Sequence, residues 1–294
     1  MKKQKVCIIG GGLTGLVTAI TLSQLNLDID LITAANINKS IKTERTTAIS
    51  QNNYNFLKEL KLSNFSIKEF WPCKNMSLYE KNKNEKLNQI FEISHNNKDQ
   101  KQMLYMVKNS NLINMFIKTI KKNKSINLKN NTKISAILNS GLLKTVKVKS
   151  KDYSRYNLII VCTGSISNLE QSMFKSKFFK RSYNEFSITT FLKHSFCKNN
   201  IARQIFLDNE ILALLPISNT KTSVVWSIKK NLSKKYENFN NEFLKNKIKL
   251  YTKDFLNKIQ FISKLEFKDL NLFIRRKYFD DRTLFLVMPY IRYI

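Results

Sequence analysis

The amino-acid sequence predicts an α/β protein of two domains: a Rossmann-like nucleotide-binding domain and a second domain, of α+β type, built on a mostly antiparallel β-sheet. Two observations carry this prediction. An apolar strand near the N-terminus runs into the glycine pattern Gly10-x-Gly12-x-x-Gly15 and then into an apolar helix, as in dinucleotide-binding folds. Beyond about residue 185, strand-like segments follow one another without intervening helices, which is typical of an antiparallel sheet.

The glycine loop is the most specific motif in the chain. Gly10 allows a tight turn, Gly12 lets the backbone approach a pyrophosphate, and Gly15 lets the helix pack against the strand. Leu13 and Thr14 open the helix, whose unpaired N–H groups and positive dipole end favour phosphate groups. We therefore predict a dinucleotide site here, with a purely structural glycine turn as the alternative.

The remaining elements follow from the periodicity of apolar residues. The predicted helices are 13–25, 51–60, 112–121 and 243–256. The predicted strands are 6–9, 29–33, 76–79, 90–93, 134–137, 144–148, 156–162, 186–192, 204–207, 211–215, 223–228 and 284–287. The second strand ends at Thr33, where dinucleotide folds often carry an acidic residue for the ribose. The sequence therefore predicts no residue that would bind the ribose.

The net charge of the chain is +30, from 51 Lys and Arg residues against 21 Asp and Glu residues. The basic residues are spread along the whole chain without a helix-turn-helix or RNA-binding motif, so we expect no nucleic-acid partner. Diffuse positive charge suffices for attraction to an anionic membrane surface. No apolar run reaches the about 18 residues of a membrane span, and no signal peptide is recognisable. We therefore expect a cytoplasmic protein in peripheral contact with the inner face of the membrane.

The cysteines and histidines do not form a recognisable catalytic or metal-binding pattern. The four cysteines are scattered without metal-ligand spacing, so no metal site is expected. Cys7 and Cys162 lie in apolar strands, where buried, reduced thiols of a cytosolic protein are expected. His95 and His194 are interpreted as surface or loop residues rather than catalysts.

Five further sequence blocks follow the glycine loop along the chain: 44–49, 105–112, 158–165, 214–216 with 224–226, and 282–287. Taken in this order, they resemble the flavin-dependent aromatic hydroxylases of group A, and among these the ubiquinone-biosynthesis hydroxylases. The resemblance covers nearly the whole chain. It implies a Rossmann-like FAD-binding domain of residues 1–70, 97–168 and 272–294, and a substrate domain of residues 71–96 and 169–271.

The same resemblance assigns residues to the cofactor. The glycine loop matches the family's FAD pyrophosphate site, and Arg45 matches an arginine that contacts the flavin dinucleotide. The family's Ala-Asp-Gly turn has Thr163 in place of its Asp, while its glycine is retained as Gly164. The residues implied to bind FAD are Gly10, Gly12, Leu13, Thr14, Gly15, Arg45 and Gly164.

The implied reaction is hydroxylation of an aromatic ring, with NAD(P)H as the electron donor, O2 as the oxidant and no assigned catalytic side chain. A polyprenylated phenol would suit an apolar pocket and a basic surface. The candidates for lining such a pocket are Phe191, Phe206, Leu214 and Trp226. The interpretation we favour is that these four residues belong to the core. The alternatives are a prenyl-lipid reductase, a halogenase, whose lysine and tryptophan signature we do not find, and a non-enzymatic remnant.

The last eight residues depart from the family. Its final strand runs into Gly-Asp-Ala and later a Gly-Gln-Gly turn at the flavin, whereas this chain reads Val287-Met288-Pro289. The codons GGT GAT GCC for Gly-Asp-Ala give Val-Met-Pro when they are read one base late. When the codons of residues 290–294 are returned to the original frame, they can encode Ile-His-Thr-Ile-His. We expect a frameshift in the gene or its assembly, with the natural C-terminus of a shorter relative as the alternative. Since each missing hydrogen bond is worth roughly 0.5–1.5 kcal/mol, we expect weak or absent FAD binding. Without the helices that follow this strand in the family, we also expect uncovered apolar surface and poor solubility.

Overall fold

The computed structural model describes residues 3–38, 43–82, 86–94, 102–148, 153–163, 178–230 and 241–286. The helices in this part of the chain are α1 (Leu13–Leu22), α2 (Gln51–Glu59), α3 (Asn109–Lys122) and α4 (Asn241–Thr252). The strands are β1 (Gln4–Ile9), β2 (Leu27–Ile32), β3 (Thr46–Ser50), β4 (Trp71–Cys73), β5 (Asn75–Lys81), β6 (Leu87–Ser94), β7 (Leu104–Lys108), β8 (Ile126–Lys129), β9 (Ala136–Ser140), β10 (Leu143–Lys147), β11 (Tyr153–Tyr156), β12 (Leu158–Val161), β13 (Phe178–Lys193), β14 (Ile201–Leu207), β15 (Glu210–Ser218), β16 (Lys221–Lys229), β17 (Gln260–Phe261), β18 (Glu266–Arg275), β19 (Phe279–Asp280) and β20 (Thr283–Phe285).

The glycine loop belongs to a six-stranded sheet of order β19-β20-β12-β1-β2-β8. Its central strands pair in parallel, and the short β19 is added antiparallel at the edge. Helices α1 and α3 cover one face, and the small sheet β9-β10-β11 covers the other. Because both faces are covered, Val6 to Ile9 of β1 are all buried, as expected for a parallel sheet.

A second, larger sheet has the order β17-β13-β16-β15-β14-β5-β6, with β18 paired to β13 beside β17. Its pairings are antiparallel except that β14 and β5 run parallel. One face packs against α4. This parallel sheet with helices and this mostly antiparallel sheet confirm the predicted fold class.

A third sheet, β3-β7-β4, joins the two. The indole Nε1–H of Trp71 in β4 donates to the carbonyl of Asn199, at 2.6 Å, in the loop before β14. The ammonium of Lys108, at the end of β7, lies 4.8 Å from the centre of the Phe191 ring in β13. These contacts join the small sheet to the large sheet, while Ile49 and Val107 of the small sheet pack into the apolar core that contains α1 and α3.

Most predicted elements agree with the structure within a few residues, and the differences have local causes. The first helix ends at Leu22 rather than residue 25, since the Ser23 hydroxyl donates to the Ile20 carbonyl at 2.7 Å and the chain turns into β2. The run 156–162 divides into β11 and β12. The strands that were not predicted are β3, β4, β7, β8, β17, β18 and β19. In the described part of the chain, each helix is too short or too polar to cross a membrane.

Candidate functional site

The loop between β1 and α1 forms a cradle at the edge of the parallel sheet, and two of its glycines are required by the fold. Gly10 has φ = +123°, and a Cβ there would lie 2.6 Å from the Cys162 carbonyl oxygen. A Cβ on Gly15 would lie 1.9 Å from the Gly10 carbonyl oxygen. Neither position accommodates a side chain, so these two glycines bring β1, α1 and β12 into contact.

Gly12 differs, because none of the described residues requires a glycine there. Its backbone is extended, with φ = −81° and ψ = 178°, and a Cβ there would meet no atom of the described residues within 4 Å. It is the N-cap of α1, and within the described residues no side chain caps this helix and no acidic residue lies in its first turn. The amides of Leu13, Thr14 and Gly15 therefore begin the helix beside open space. Such a helix start is suited to a phosphate group.

Thr33, which follows β2, is turned into the protein. It is only 3% exposed, and its hydroxyl lies 2.6 Å from the Ala35 carbonyl oxygen and 3.1 Å from Oδ1 of Asn130. The Ile37 N–H donates to the same Oδ1 at 3.1 Å. Thr33 thus holds the turn after β2, and its hydroxyl is used within the protein rather than offered to a ribose.

Arg45 lies where the small sheet meets the large sheet. Its Nε is 3.6 Å from Oε1 of Glu266 in β18, and the Glu44 N–H donates to Oε2 of the same carboxylate at 3.0 Å. The next residue, Thr46, has a buried hydroxyl without a hydrogen-bond partner among the described residues. Gly164 lies outside the described residues, so the cofactor contacts assigned to it and to Arg45 stay predictions.

A buried acidic residue connects three strands of the parallel sheet. Asp30 in β2 accepts a 2.6 Å hydrogen bond from Tyr156 and pairs with Lys5 at 3.2 Å and Lys129 at 3.1 Å. Burial opposes ionisation of this carboxyl, but the hydrogen bonds from Tyr156, Lys129 and Asn127 outweigh it and hold its pKa below the ordinary value of 3.8. The network ties β1, β2 and β8 together.

The two faces of the large sheet have different compositions. On the face that packs against α4, which we call the outer face, the side chains are large, apolar and buried. They include Ile188, Leu212, Leu214, Trp226 and Ile228. Leu214 and Trp226 are therefore core residues, in agreement with the interpretation favoured from the sequence.

The opposite face, which we call the inner face, carries smaller and more polar side chains. By strand alternation its members are Ser187, Thr189, Phe191, Ala202, Gln204, Phe206, Ile211, Ala213, Leu215, Ser223, Val225 and Ser227. It faces the small sheet, since the Phe191 ring lies under the Lys108 ammonium of β7. A second contact agrees with this: Glu266, which pairs with Arg45, lies opposite Thr189 in the pairing of β18 with β13. At its centre Ala213 and Val225 are only half-buried.

Three buried polar atoms on the inner face have no hydrogen-bond partner among the described residues: Thr189 Oγ1, Gln204 Nε2 and Ser223 Oγ. The strand register sets Gln204 opposite Ala213, Ala213 opposite Val225, and Val225 opposite Thr189. An unpaired buried polar group costs about 1–3 kcal/mol. Their concentration around two half-exposed apolar residues indicates a place where a ligand with polar groups would be stabilised.

His194 lies in a loop, as expected, but it is buried rather than on the surface. Its Nδ1 is 2.8 Å from the Ser195 carbonyl oxygen and its Nε2 is 3.0 Å from the Thr222 hydroxyl, so both nitrogens are used within the protein.

Burial raises the pKa of Cys73 and of Cys162 to about 12, which leaves both as unreactive thiols. No cluster of potential metal ligands occurs among the described residues. His95 lies outside them.

Sequence reasoning did not identify Glu266, Lys108, Thr189, Gln204 or Ser223 as site residues. They come from four strands of the large sheet and one of the small sheet, and only the fold brings them to one side. A signal for part of this set is present in the sequence. Ser187 and Thr189, and likewise Ser223 and Ser227, recur at a spacing of two or four residues within strands whose other residues are mostly apolar.

Comparison with known proteins gives one family and several structural relatives. The FAD binding domain family matches residues 3–287. A comparison with curated proteins gives no match. The structure is similar to p-nitrophenol 4-monooxygenase from Pseudomonas putida DLL-E4, with a TM-score of 0.74 and 12% identity, over 97% of this chain and 72% of that one. It is also similar to 2-methyl-3-hydroxypyridine-5-carboxylic acid oxygenase, with a TM-score of 0.75 and 10% identity, over 97% of this chain and 75% of that one.

A flavin-dependent halogenase, CmlS, shares the fold with a TM-score of 0.71 and 14% identity, over 97% of this chain and 53% of that one. At such identities these relatives establish the fold alone. The family match covers nearly the whole chain, and the open side of the glycine cradle fits the diphosphate of a dinucleotide. The chain therefore belongs to the family of FAD-binding domains.

Proposed function

We propose that this chain is a FAD-dependent monooxygenase that hydroxylates an aromatic ring. The observation that carries the proposal is Gly12, a glycine with no structural requirement at the uncapped start of α1, beside two glycines that the fold does require. A ligand whose phosphate approaches the backbone would account for the glycine at position 12. Two of the structural relatives are named as oxygenases of substituted aromatic rings, which supports ring hydroxylation over other flavin chemistry.

The protein's own residues divide the work between two places. The amides of Leu13, Thr14 and Gly15 would hold the diphosphate, with Arg45 and Gly164 as further proposed contacts. The inner face of the large sheet would hold the ring, with Ala213 and Val225 as its apolar floor. When bound, FAD supplies the electron transfer and the oxygen chemistry. The balanced reaction consumes NAD(P)H, a proton, O2 and the arene, and yields NAD(P)+, the phenol and water.

The finer points of the proposal concern substrate and location. We propose that the substrate is a polyprenylated phenol of ubiquinone biosynthesis. We also propose that the protein is cytoplasmic and lies in peripheral contact with the inner membrane face. The support is the net charge of +30, which attracts the chain to an anionic surface where such a substrate would reside. The proposed division into an FAD-binding domain and a substrate domain follows the parallel and large sheets.

The proposal also includes weak FAD binding by the chain as it reads here, because Val287-Met288-Pro289 stands where the resemblance implies Gly-Asp-Ala. These residues lie outside the described ones. The downstream nucleotide sequence in all three frames tests the frameshift. A neighbouring frame without Gly-Asp-Ala and a Gly-Gln-Gly turn would contradict it.

The enzymatic proposal is tested by expressing the chain, together with its frame-restored version where the nucleotide sequence supplies one. Both are incubated with FAD, and NADH or NADPH oxidation is followed under 18O2 with a panel of phenols. We expect phenol-dependent oxidation and a product that carries one 18O atom in the frame-restored protein. Absence of a flavin spectrum there would favour a non-enzymatic remnant, and flavin reduction without oxygen transfer would favour a reductase.

A further inference from the structure

The strand at one end of the large sheet, β6, is exposed along its length. Within the described residues it pairs only with β5, and seven of its eight residues are exposed. Three of these are large and apolar: Ile90 is 51% exposed, Phe91 56% and Ile93 38%. A strand at the edge of a sheet presents N–H and C=O groups with which another strand can pair. In the described part of the chain, β6 therefore combines an available backbone edge with exposed apolar side chains.

Natural edge strands usually carry features that prevent such pairing, and β6 has few of them. Lysine and proline, which commonly block an edge, are absent from its sequence, and its pairing with β5 has a bulge at Ile90. At the opposite end of the same sheet, β18 has four charged residues among its ten: Glu266, Lys268, Asp269 and Arg275. The contrast indicates that the β6 edge is open to a partner strand.

The charge of β6 restricts the partner. The chain has a net charge of +30, so copies of it repel one another over most of their surface. β6 is an exception, because its one charged residue is the acidic Glu92. Among the described residues, the hydrogen-bond partners of this carboxylate are the uncharged side chains of Asn75, Ser77 and Gln89. The negative charge of Glu92 is therefore available to a cation of the partner.

A second copy of the chain supplies that cation. In an antiparallel pair of identical strands, the end of one strand lies beside the start of the other. The exposed Lys86 directly precedes β6, and Glu92 lies near its end, so each Glu92 would approach Lys86 of the other copy. A bilayer is less suited to this edge, because its hydrocarbon would leave the outward N–H and C=O groups unpaired. An acidic peptide would be repelled by Glu92.

We propose that β6 is a homodimerisation surface, at which two copies of the chain join their large sheets edge to edge through antiparallel β6 strands. The pairing would cover Phe91 and Ile93, which lie opposite Leu78 and Met76 of β5 and so continue the inner face to this edge. A two-fold contact closes on itself, so the assembly stops at the dimer. A contact limited to one strand is at the small end of protein interfaces, so we expect a dissociation constant on the order of 10 µM.

Sedimentation equilibrium of the full chain between about 1 and about 100 µM measures the dimer. Phe91→Lys should weaken dimerisation at least about tenfold, because it removes an apolar contact and adds a like charge on each copy. Leu138→Lys is the matched control. Leu138 is 50% exposed on β9, an edge strand of another sheet, and its replacement adds the same charge. This variant should keep the dissociation constant of the parent chain within about twofold.

The predicted ion pair allows a complementation test. Glu92→Lys leaves two cations at each contact and Lys86→Glu leaves two carboxylates, so each variant alone should dimerise about three- to tenfold more weakly than the parent chain. Mixed in equal amounts, the two variants should form a heterodimer of about the parent affinity, because each cation again meets a carboxylate. Only folded variants can produce this recovery, so it separates a lost contact from a lost fold.

A parent chain that stays monomeric over this range, a mass that rises beyond the dimer, or a dimer that Phe91→Lys leaves intact would overturn the inference. Two folded charge variants that fail to recover on mixing would do the same. If the parent chain is monomeric and Phe91→Lys releases it from vesicles of anionic phospholipid, β6 contacts a membrane instead. These measurements involve no flavin, so they are decided separately from the proposed function.

Discussion

The glycine cradle and the inner face of the large sheet are built in opposite ways. The cradle consists of six consecutive residues, from Gly10 to Gly15, and its shape follows from what each glycine would collide with or leave open. The inner face draws Gln204, Ala213, Val225 and Thr189 from four strands that meet only in the folded sheet. A site made of contiguous residues can be identified by its motif, whereas a site made across strands becomes visible only with the register.

The largest expected effect separates the two kinds of glycine within the cradle. Gly15→Ala would place a methyl group 1.9 Å from the Gly10 carbonyl oxygen, a backbone atom that cannot move aside without breaking the contact between β1 and α1. We expect a loss of more than about 5 kcal/mol in the free energy of unfolding, which leaves little folded protein. Circular dichroism and urea titration measure it. A Gly15→Ala variant as stable as the parent chain would show that the loop is not closed as described.

The next effect compares the two faces of one strand. Trp226 on the outer face is 1% exposed, donates to Oε2 of Glu210 at 3.1 Å and packs edge-on against Tyr251 of α4. Trp226→Ala should cost about 4 kcal/mol. Its neighbour Val225, on the inner face, is half-buried, so Val225→Ala should cost about 1 kcal/mol. Urea titrations of both variants measure the difference, and equal losses would mean that the inner face is packed like the outer one.

The same contrast explains how far the sequence could predict the molecule. The fold class and the cradle rest on local signals: the glycine spacing around Gly12, apolar runs and helical periodicity. Strand β18 has no such signal, because it is held by pairing with the distant β13. The inner face was not predicted, since Thr189 and Ser223 each look like an ordinary hydroxyl residue of a strand until the register places them together. Phe191, a candidate for an apolar pocket, lies on that face under Lys108.

A smaller and pH-dependent effect is expected in the parallel sheet. Asp30→Asn leaves Lys5 and Lys129 without the carboxylate they share. Because both lysine side chains are partly exposed and can be solvated, it should cost about 1–2 kcal/mol at neutral pH. Because the pKa of Asp30 is held below its ordinary value in the folded state, its ionised form contributes stability above about pH 4, and this contribution is lost as the pH falls through the folded-state pKa.

The difference in unfolding free energy between the parent chain and Asp30→Asn should therefore shrink below about pH 4. Urea titrations between pH 3 and pH 7 measure it. A difference that stays constant over this range would mean that the carboxylate of Asp30 contributes no stability through its charge.

The smallest effect on stability is expected at Gly12, where the effect on binding should be large. A Cβ there meets no atom of the part of the chain that the structure describes within 4 Å, and its φ of −81° is open to any residue. Gly12→Ala should therefore change the free energy of unfolding by less than about 0.5 kcal/mol. The methyl group would occupy the space through which a phosphate reaches the helix amides. Titration with ADP, which carries the diphosphate without the flavin end, should show at least about a tenfold loss of affinity.

Gly141 provides the reverse control. It lies in the turn between β9 and β10 with φ = +59° and open space around it, so Gly141→Ala should lower stability by about 1 kcal/mol through backbone strain. It should leave ADP affinity unchanged, since that turn belongs to the small sheet β9-β10-β11 and not to the cradle. If Gly12→Ala bound ADP as tightly as Gly141→Ala does, the open side of the cradle would not be where a diphosphate binds, and the strongest support for a flavin enzyme would be lost.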